Sequence, residues 1–145
     1  VNPGNYKVLF GTNQNELIEA AGGLKEGCEK VISGGPMMGF AMYTTDTPIT
    51  KTSSSILCMS KDEVSACEPT ACINCGRCVD ACPSRIIPSR LADFAERHDE
   101  EAFLKFNGLE CVECGSCSYV CPAKRQLKQA IGSMRKTALA NKKKK

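Results

Sequence analysis

Eight of the eleven cysteines fall into two copies of one arrangement. Cys72, Cys75, Cys78 and Cys82 are followed by Pro83, and Cys111, Cys114, Cys117 and Cys121 are followed by Pro122. Both copies read C-x2-C-x2-C-x3-C-P. In such a run three closely spaced thiolates hold one iron–sulfur cluster and the fourth Cys ligates the other cluster. The pattern assigns Cys72, Cys75, Cys78 and Cys121 to a first 4Fe-4S cluster, and Cys111, Cys114, Cys117 and Cys82 to a second. Eight ligands for two clusters leave no iron open to substrate, so the expected chemistry is electron transfer and no residue is expected to be catalytic. Exchanging the fourth ligands would tie the two halves together and keep the clusters within electron-transfer reach.

Zinc is the first alternative, because thiolate tetrads also build structural zinc sites. Zinc modules usually offer two C-x2-C pairs separated by a longer finger, whereas each tetrad here fits within eleven residues and ends in Cys-Pro. A disulfide framework belongs to oxidising compartments, yet the start lacks the charged, apolar and small-residue succession of a secretory signal. A reducing compartment is expected. There is no Ser/His/Asp set, paired His or nucleotide loop, and His98, the only histidine, leaves acid–base catalysis little to use.

The elements around the cysteines repeat with them. The two motifs are offset by 39 residues, which also aligns Gly76 with Gly115 and Pro83 with Pro122. Each Gly permits a positive φ and close backbone approach, and each Pro stops its segment from continuing as a helix interior. Between the copies, Ser89 is predicted to cap a helix through about Arg97 with Leu91, Phe94 and Ala95 inward. Asp99 is predicted to cap a second helix, with Glu100 and Glu101 in its first turn and Asn107-Gly108 as its stop. Two helices between the motifs indicate an α-helical dicluster domain over residues 63–127, unlike compact ferredoxins whose motifs are joined by hairpin-like segments. Loss of both clusters is expected to unfold most of it, since so small a region has few other core residues.

Residues 1–62 read as a separate, cofactor-free α+β part. The chain opens without Met on a turn-rich stretch, as though cut from a longer protein. Tyr6 to Phe10 reads as a strand, Asn13 with Glu16 as a capping box, Leu17, Ile18 and Ala21 as an apolar face, and Gly22-Gly23 as the helix end. Further strands are predicted at Lys30 to Ser33 and at Ser55 to Met59. Gly34-Gly35-Pro36-Met37-Met38-Gly39 matches neither the dinucleotide fingerprint nor the P-loop and reads as a tight turn. Cys28 and Cys58 lack neighbours at ligand spacing and read as buried or part-buried thiols, while Cys67 reads as a bystander because both tetrads are complete. Glu68-Pro69 suits a junction, with the boundary near Asp62.

Nine of the nineteen basic residues follow Cys121 and no acidic residue does. Two bound clusters would take the formal charge from +3 to roughly −1, since each adds about −2 with its four thiolates. Leu127, Ile131, Met134 and Ala138 recur at helical spacing, so residues 128–145 are expected to be a basic helix end that packs on the cluster domain or on an anionic surface, with Lys142 to Lys145 a solvated tail. A nucleic-acid partner is not expected, because no aromatic interleaving or reader motif accompanies the basic stretch. No apolar run approaches the roughly 20 residues of a membrane span.

The Gly34 to Gly39 stretch, Thr47-Pro48-Ile49-Thr50-Lys51, and two C-x2-C-G-x-C-x3-C-P motifs with a helical insert together resemble the C subunit of Rnf-type ion-translocating oxidoreductases. The similarity runs over nearly the whole chain and implies a β-grasp (soluble-ligand-binding) fragment followed by an α-helical ferredoxin domain. It further implies a peripheral subunit on the cytoplasmic face of the membrane. There, electrons pass between NADH and a ferredoxin-type partner through other subunits that move sodium ions or protons. The flavin- and NADH-binding region of the full-length pattern is missing, so FMN and NADH are expected only upstream of these residues. The runner-up is a ferredoxin-like subunit of a soluble oxidoreductase of the glycolate-oxidase or heterodisulfide-reductase type.

Overall fold

The computed structural model describes residues 1–63 and 65–144. The chain divides into two compact units, Val1–Ala66 and Cys67–Lys145, and the expected boundary at Asp62 falls just ahead of that division.

The first unit is α+β. Helix α1, Gln14–Ala20, starts where Asn13 in extended conformation accepts a hydrogen bond from the Asn15 N–H at 2.8 Å, and it ends at Ala21 before Gly22 and Gly23, both at positive φ. The sheet has three antiparallel strands, β1 (Lys30–Ser33), β2 (Phe40–Met42) and β3 (Ile56–Met59), in the order β2-β1-β3. Ile32 pairs with Ala41 on one side and Leu57 on the other, which puts Ile32 at the sheet centre, 7% exposed. The glycine-rich stretch is the turn joining β1 to β2, closed by the Gly39 N–H donating to the Gly35 carbonyl at 2.8 Å. A Cβ on Gly39 would lie 2.5 Å from that same oxygen, so only glycine fits the approach.

Two expectations for this unit fail. Tyr6 to Phe10 forms no strand: Leu9 and Phe10 are exposed, Gly11 at φ 90° turns the chain away, and among the described residues no strand runs beside it. Propensity without a pairing partner does not make a sheet. Cys58 on β3 is exposed, where a buried or part-buried thiol was expected. Its thiol lies within hydrogen-bonding reach of half-buried Cys28, and partial burial together with that neighbour raises the Cys58 pKa.

The second unit is helical. Its elements are α2 (Arg77–Asp80), α3 (Pro88–Glu96), α4 (Glu100–Lys105), a 3-10 turn (Gly108–Glu110), α5 (Ser116–Tyr119) and α6 (Leu127–Lys144). The first helix of the insert begins at Pro88, not after a Ser89 cap, because Pro at the first helical position needs no N–H and holds Ile87 before it out of helical geometry. The next begins as expected, with Asp99 Oδ1 accepting from the Ala102 N–H at 3.0 Å. The Asn107 stop is a left-handed residue at φ 59° that leads into the 3-10 turn. His98 is exposed.

Leu91, Phe103 and Ile131 are each 0% exposed and centre the core. The stripe Leu127, Ile131, Met134 and Ala138 is wholly buried, and α6 packs chiefly on α3, so the basic helix covers its own unit. Its start is satisfied from outside the helix, by the Ser118 hydroxyl accepting from the Lys128 N–H at 2.9 Å. The helix runs on through Lys144, where a tail from Lys142 was expected, and Lys145 lies outside the described residues. Among the described residues no helix is long and apolar enough to cross a membrane.

Candidate metal centres

The backbone repeats along with the cysteines. Asn74 and Glu113 have φ of 56° and 55°, Gly76 and Gly115 of 79° and 85°, and Arg85 and Lys124 of 52° and 53°. Each pair is 39 residues apart. Left-handed geometry at the glycines lets the loop turn sharply into α2 and α5, single turns that pack on each other. The same geometry at Asn74, Glu113, Arg85 and Lys124 was not foreseen, because nothing in those side chains demands it. Comparing residues at the 39-residue offset is the signal that pairs them.

The eight motif thiols are gathered into two cavities. Cys72, Cys75 and Cys78 line the first, of about 110 Å³, together with Cys121 from the second motif. Cys111, Cys114 and Cys117 line the second, of about 20 Å³, together with Cys82 from the first motif. A single helical turn separates the destinations: Cys78 lies in α2 and opens on the first cavity, while Cys82 just beyond it opens on the second. The mirrored statement holds for Cys117 in α5 and Cys121. Cys67 is exposed and lines neither cavity.

The surroundings of the two sets differ. Cys72 and Cys75 are exposed, whereas Cys111 and Cys114 are half-buried and Cys117 is buried. Burial pushes the Cys117 thiol up to about 11 and raises that of Cys111, while the adjacent Ser116 hydroxyl lowers that of Cys114. Arg125, on the first cavity wall, bonds Asp93 and Glu96 of α3, each at 2.9 Å. Burial opposes its charge, but those two carboxylates outweigh burial and raise its pKa. Glu113, on the second cavity wall, is held by Arg135 at 3.3 Å. Sequence reading missed these charged residues, whose partners lie far along the chain.

Four thiols at each cavity match the donor number of a 4Fe-4S cluster.

Comparison with known proteins agrees with this chemistry. Residues 71–125 match the 4Fe-4S dicluster domain, and residues 1–41 match the SLBB domain. The chain is 49% identical over 130 residues to the C subunit of the proton-translocating ferredoxin:NAD(+) oxidoreductase complex of Clostridium ljungdahlii, a match covering 89% of this chain and 28% of that protein. It is 40% identical over 143 residues to the C subunit of the Na(+)-translocating ferredoxin:NAD(+) oxidoreductase complex of Acetobacterium woodii, covering 99% and 32%. To the C subunit of the ion-translocating oxidoreductase complex of Methanosarcina acetivorans it is 45% identical, covering 90% and 29%. The chain therefore spans about three tenths of the length of these relatives. Over nearly all its residues the chain is thus similar to one stretch of the C subunits of ion-translocating oxidoreductase complexes, and within that stretch it matches the 4Fe-4S dicluster domain.

Proposed function

We propose that this chain relays electrons through two 4Fe-4S clusters as part of an ion-translocating ferredoxin:NAD oxidoreductase complex. Cys72, Cys75, Cys78 and Cys121 hold the first cluster, and Cys82, Cys111, Cys114 and Cys117 hold the second. The observation that carries the reading is the crossed grouping of the eight thiols around two cavities. A bound 4Fe-4S cluster supplies reversible one-electron transfer without bond making at substrate.

The chain's own residues supply position and enclosure. Gly76 and Gly115 start the turns that present three thiols from each loop. Buried Ile86 and Ile131 keep water from one side of the second cavity, and α3 and α6 hold both cysteine loops against one core. Because α2 and α5 each carry a cysteine of one site and are followed within two residues of their ends by a cysteine of the other, the two sites are joined through one turn of backbone.

In this reading the chain is a peripheral subunit on the cytoplasmic face of the membrane, working with the other subunits and a ferredoxin-type partner. The SLBB match and the antiparallel sheet support a β-grasp for the first unit. FMN and NADH belong to parts of the longer relatives that these residues do not span.

The full-length protein purified without oxygen is expected to be brown, with about eight irons and eight acid-labile sulfides and paired paramagnetic signals on reduction. Colourless protein with stoichiometric zinc would overturn the reading. Recovery with a membrane complex separates it from a soluble oxidoreductase of the glycolate-oxidase or heterodisulfide-reductase type.

A further inference from the structure

The repeat allows the two cavity walls to be compared position by position. Counterparts 39 residues apart face the two cavities: Asn74 the first and Glu113 the second, Ser89 the first and Lys128 the second, Arg125 the first and Ile86 the second. The first wall thus carries one ionic side chain, a guanidinium. The second carries an acid and a base of opposite sign, with an 8% exposed isoleucine where the first has arginine.

The charged side chains that line the cavities and the access of water act in the same direction. Reducing a thiolate-bound cluster adds an electron to a group that is already negative, so a nearby cation and contact with water favour the reduced form, and burial opposes it. The first site has the cation and the exposed Cys72 and Cys75, while the second has buried Cys117. From behind the walls, Arg135 offsets Glu113 at the second site, and at the first Asp93 and Glu96 weaken the Arg125 field. Neither lines the cavity, and their side chains are 35% and 56% exposed against 12% for Arg125, so solvent screens them more strongly. The Glu113 N–H donates to Cys111 Sγ at 3.4 Å and favours negative charge at the second site. At the first site Cys72 Sγ instead meets the Asn74 side-chain oxygen at 3.8 Å, and at the second the Ser116 hydroxyl lies 3.4 Å from Cys114 Sγ, so these short-range bonds favour the second site and act against the wall charge and water.

We propose that Arg125 places the cluster held by Cys72, Cys75, Cys78 and Cys121 at the higher reduction potential of the two, so that a single electron in this domain rests at the more solvent-exposed site. The proposal rests on the two-cluster reading above. Arg125 is here a positioning residue for charge, acting on the cluster's potential and not as a ligand.

The test is a redox titration of the full-length, cluster-loaded protein followed by electron paramagnetic resonance. Cys75→Ser identifies the signal of the first cluster, which should be the one reduced at higher potential. Arg125→Ile, which copies the residue of the second site, should lower that midpoint alone, and Arg125→Lys should restore most of it. Asp93→Asn combined with Glu96→Gln leaves the guanidinium in place and should raise the same midpoint, a readout that survives if Arg125→Ile fails to fold. The proposal falls if Cys75→Ser marks the lower-potential signal, or if the carboxylate double variant leaves that midpoint unmoved. Protein lacking iron and sulfide would instead sink the two-cluster reading itself.

Discussion

Arg135 on α6 reaches Glu113, two residues after Cys111, with 3.3 Å between Nη1 and Oε1, and its Nε donates to the Leu109 carbonyl at 3.2 Å. One side chain thus fastens the second cysteine loop to the last helix. Both partners are about a quarter to a third exposed, so the strap is modest. We expect Arg135→Ala to cost about 1 kcal/mol in chemical unfolding and to speed iron loss from the second site under a chelator, with Arg135→Lys intermediate. Equal rates of loss from wild type and variant would refute a strap.

Cys82 stands with the cysteines of the other motif around the second cavity. Cys82→Ala should reduce the iron content from about eight to about four per chain and spare the signal that Cys121→Ala removes. Cys67→Ala should leave iron unchanged, since Cys67 lines neither cavity. Loss of the first-site signal in Cys82→Ala would show that each motif keeps its own fourth ligand.

Phe103 is 0% exposed, and Gly108 sits so close to its ring that a Cβ would overlap it. Phe103→Ala should destabilise the helical unit by about 3–5 kcal/mol through the cavity it leaves. Gly108→Ala should cost about 1–3 kcal/mol through overpacking. Unfolding monitored by helical circular dichroism checks both, and an unchanged midpoint for Gly108→Ala would mean that the ring moves aside freely.

In the first unit, the Lys30 ammonium lies 2.6 Å from Asp62 and holds its carboxyl below the ordinary value. A carboxyl with a depressed folded-state pKa adds stability above its unfolded value of about 4 and loses it as pH falls through the folded value. Asp62→Asn should therefore lower the melting temperature of this unit at about pH 7 and have no effect at about pH 2. A pH-independent difference would assign the effect to packing.

Local chemistry was legible in the sequence, and long-range chemistry was not. Asp99 caps its helix and the Leu127, Ile131, Met134, Ala138 stripe is buried because caps and 3.6-residue periodicity are written within a few positions. The strand expected at Tyr6 to Phe10 depended on a neighbour that propensity cannot supply, and three-residue β2 was too short to signal itself. Cysteine spacing marked the eight candidate ligands, because each motif is written within eleven residues. Arg125 escaped because its carboxylates lie 32 and 29 residues away and meet it only once α3 is folded.

The Thr70 N–H donates to the Ala123 carbonyl at 2.9 Å, joining the entry of the first cysteine loop to the exit of the second. On the ribosome Cys72 emerges about fifty residues before Cys121, so the first cavity stays open-sided until the second motif has been made. Under the proposed crossed ligation neither site would have all four of its thiols until both motifs had been made, and contacts of such long sequence separation delay folding until the closing segment arrives. A chain cut between the motifs would then hold no complete set of four ligands.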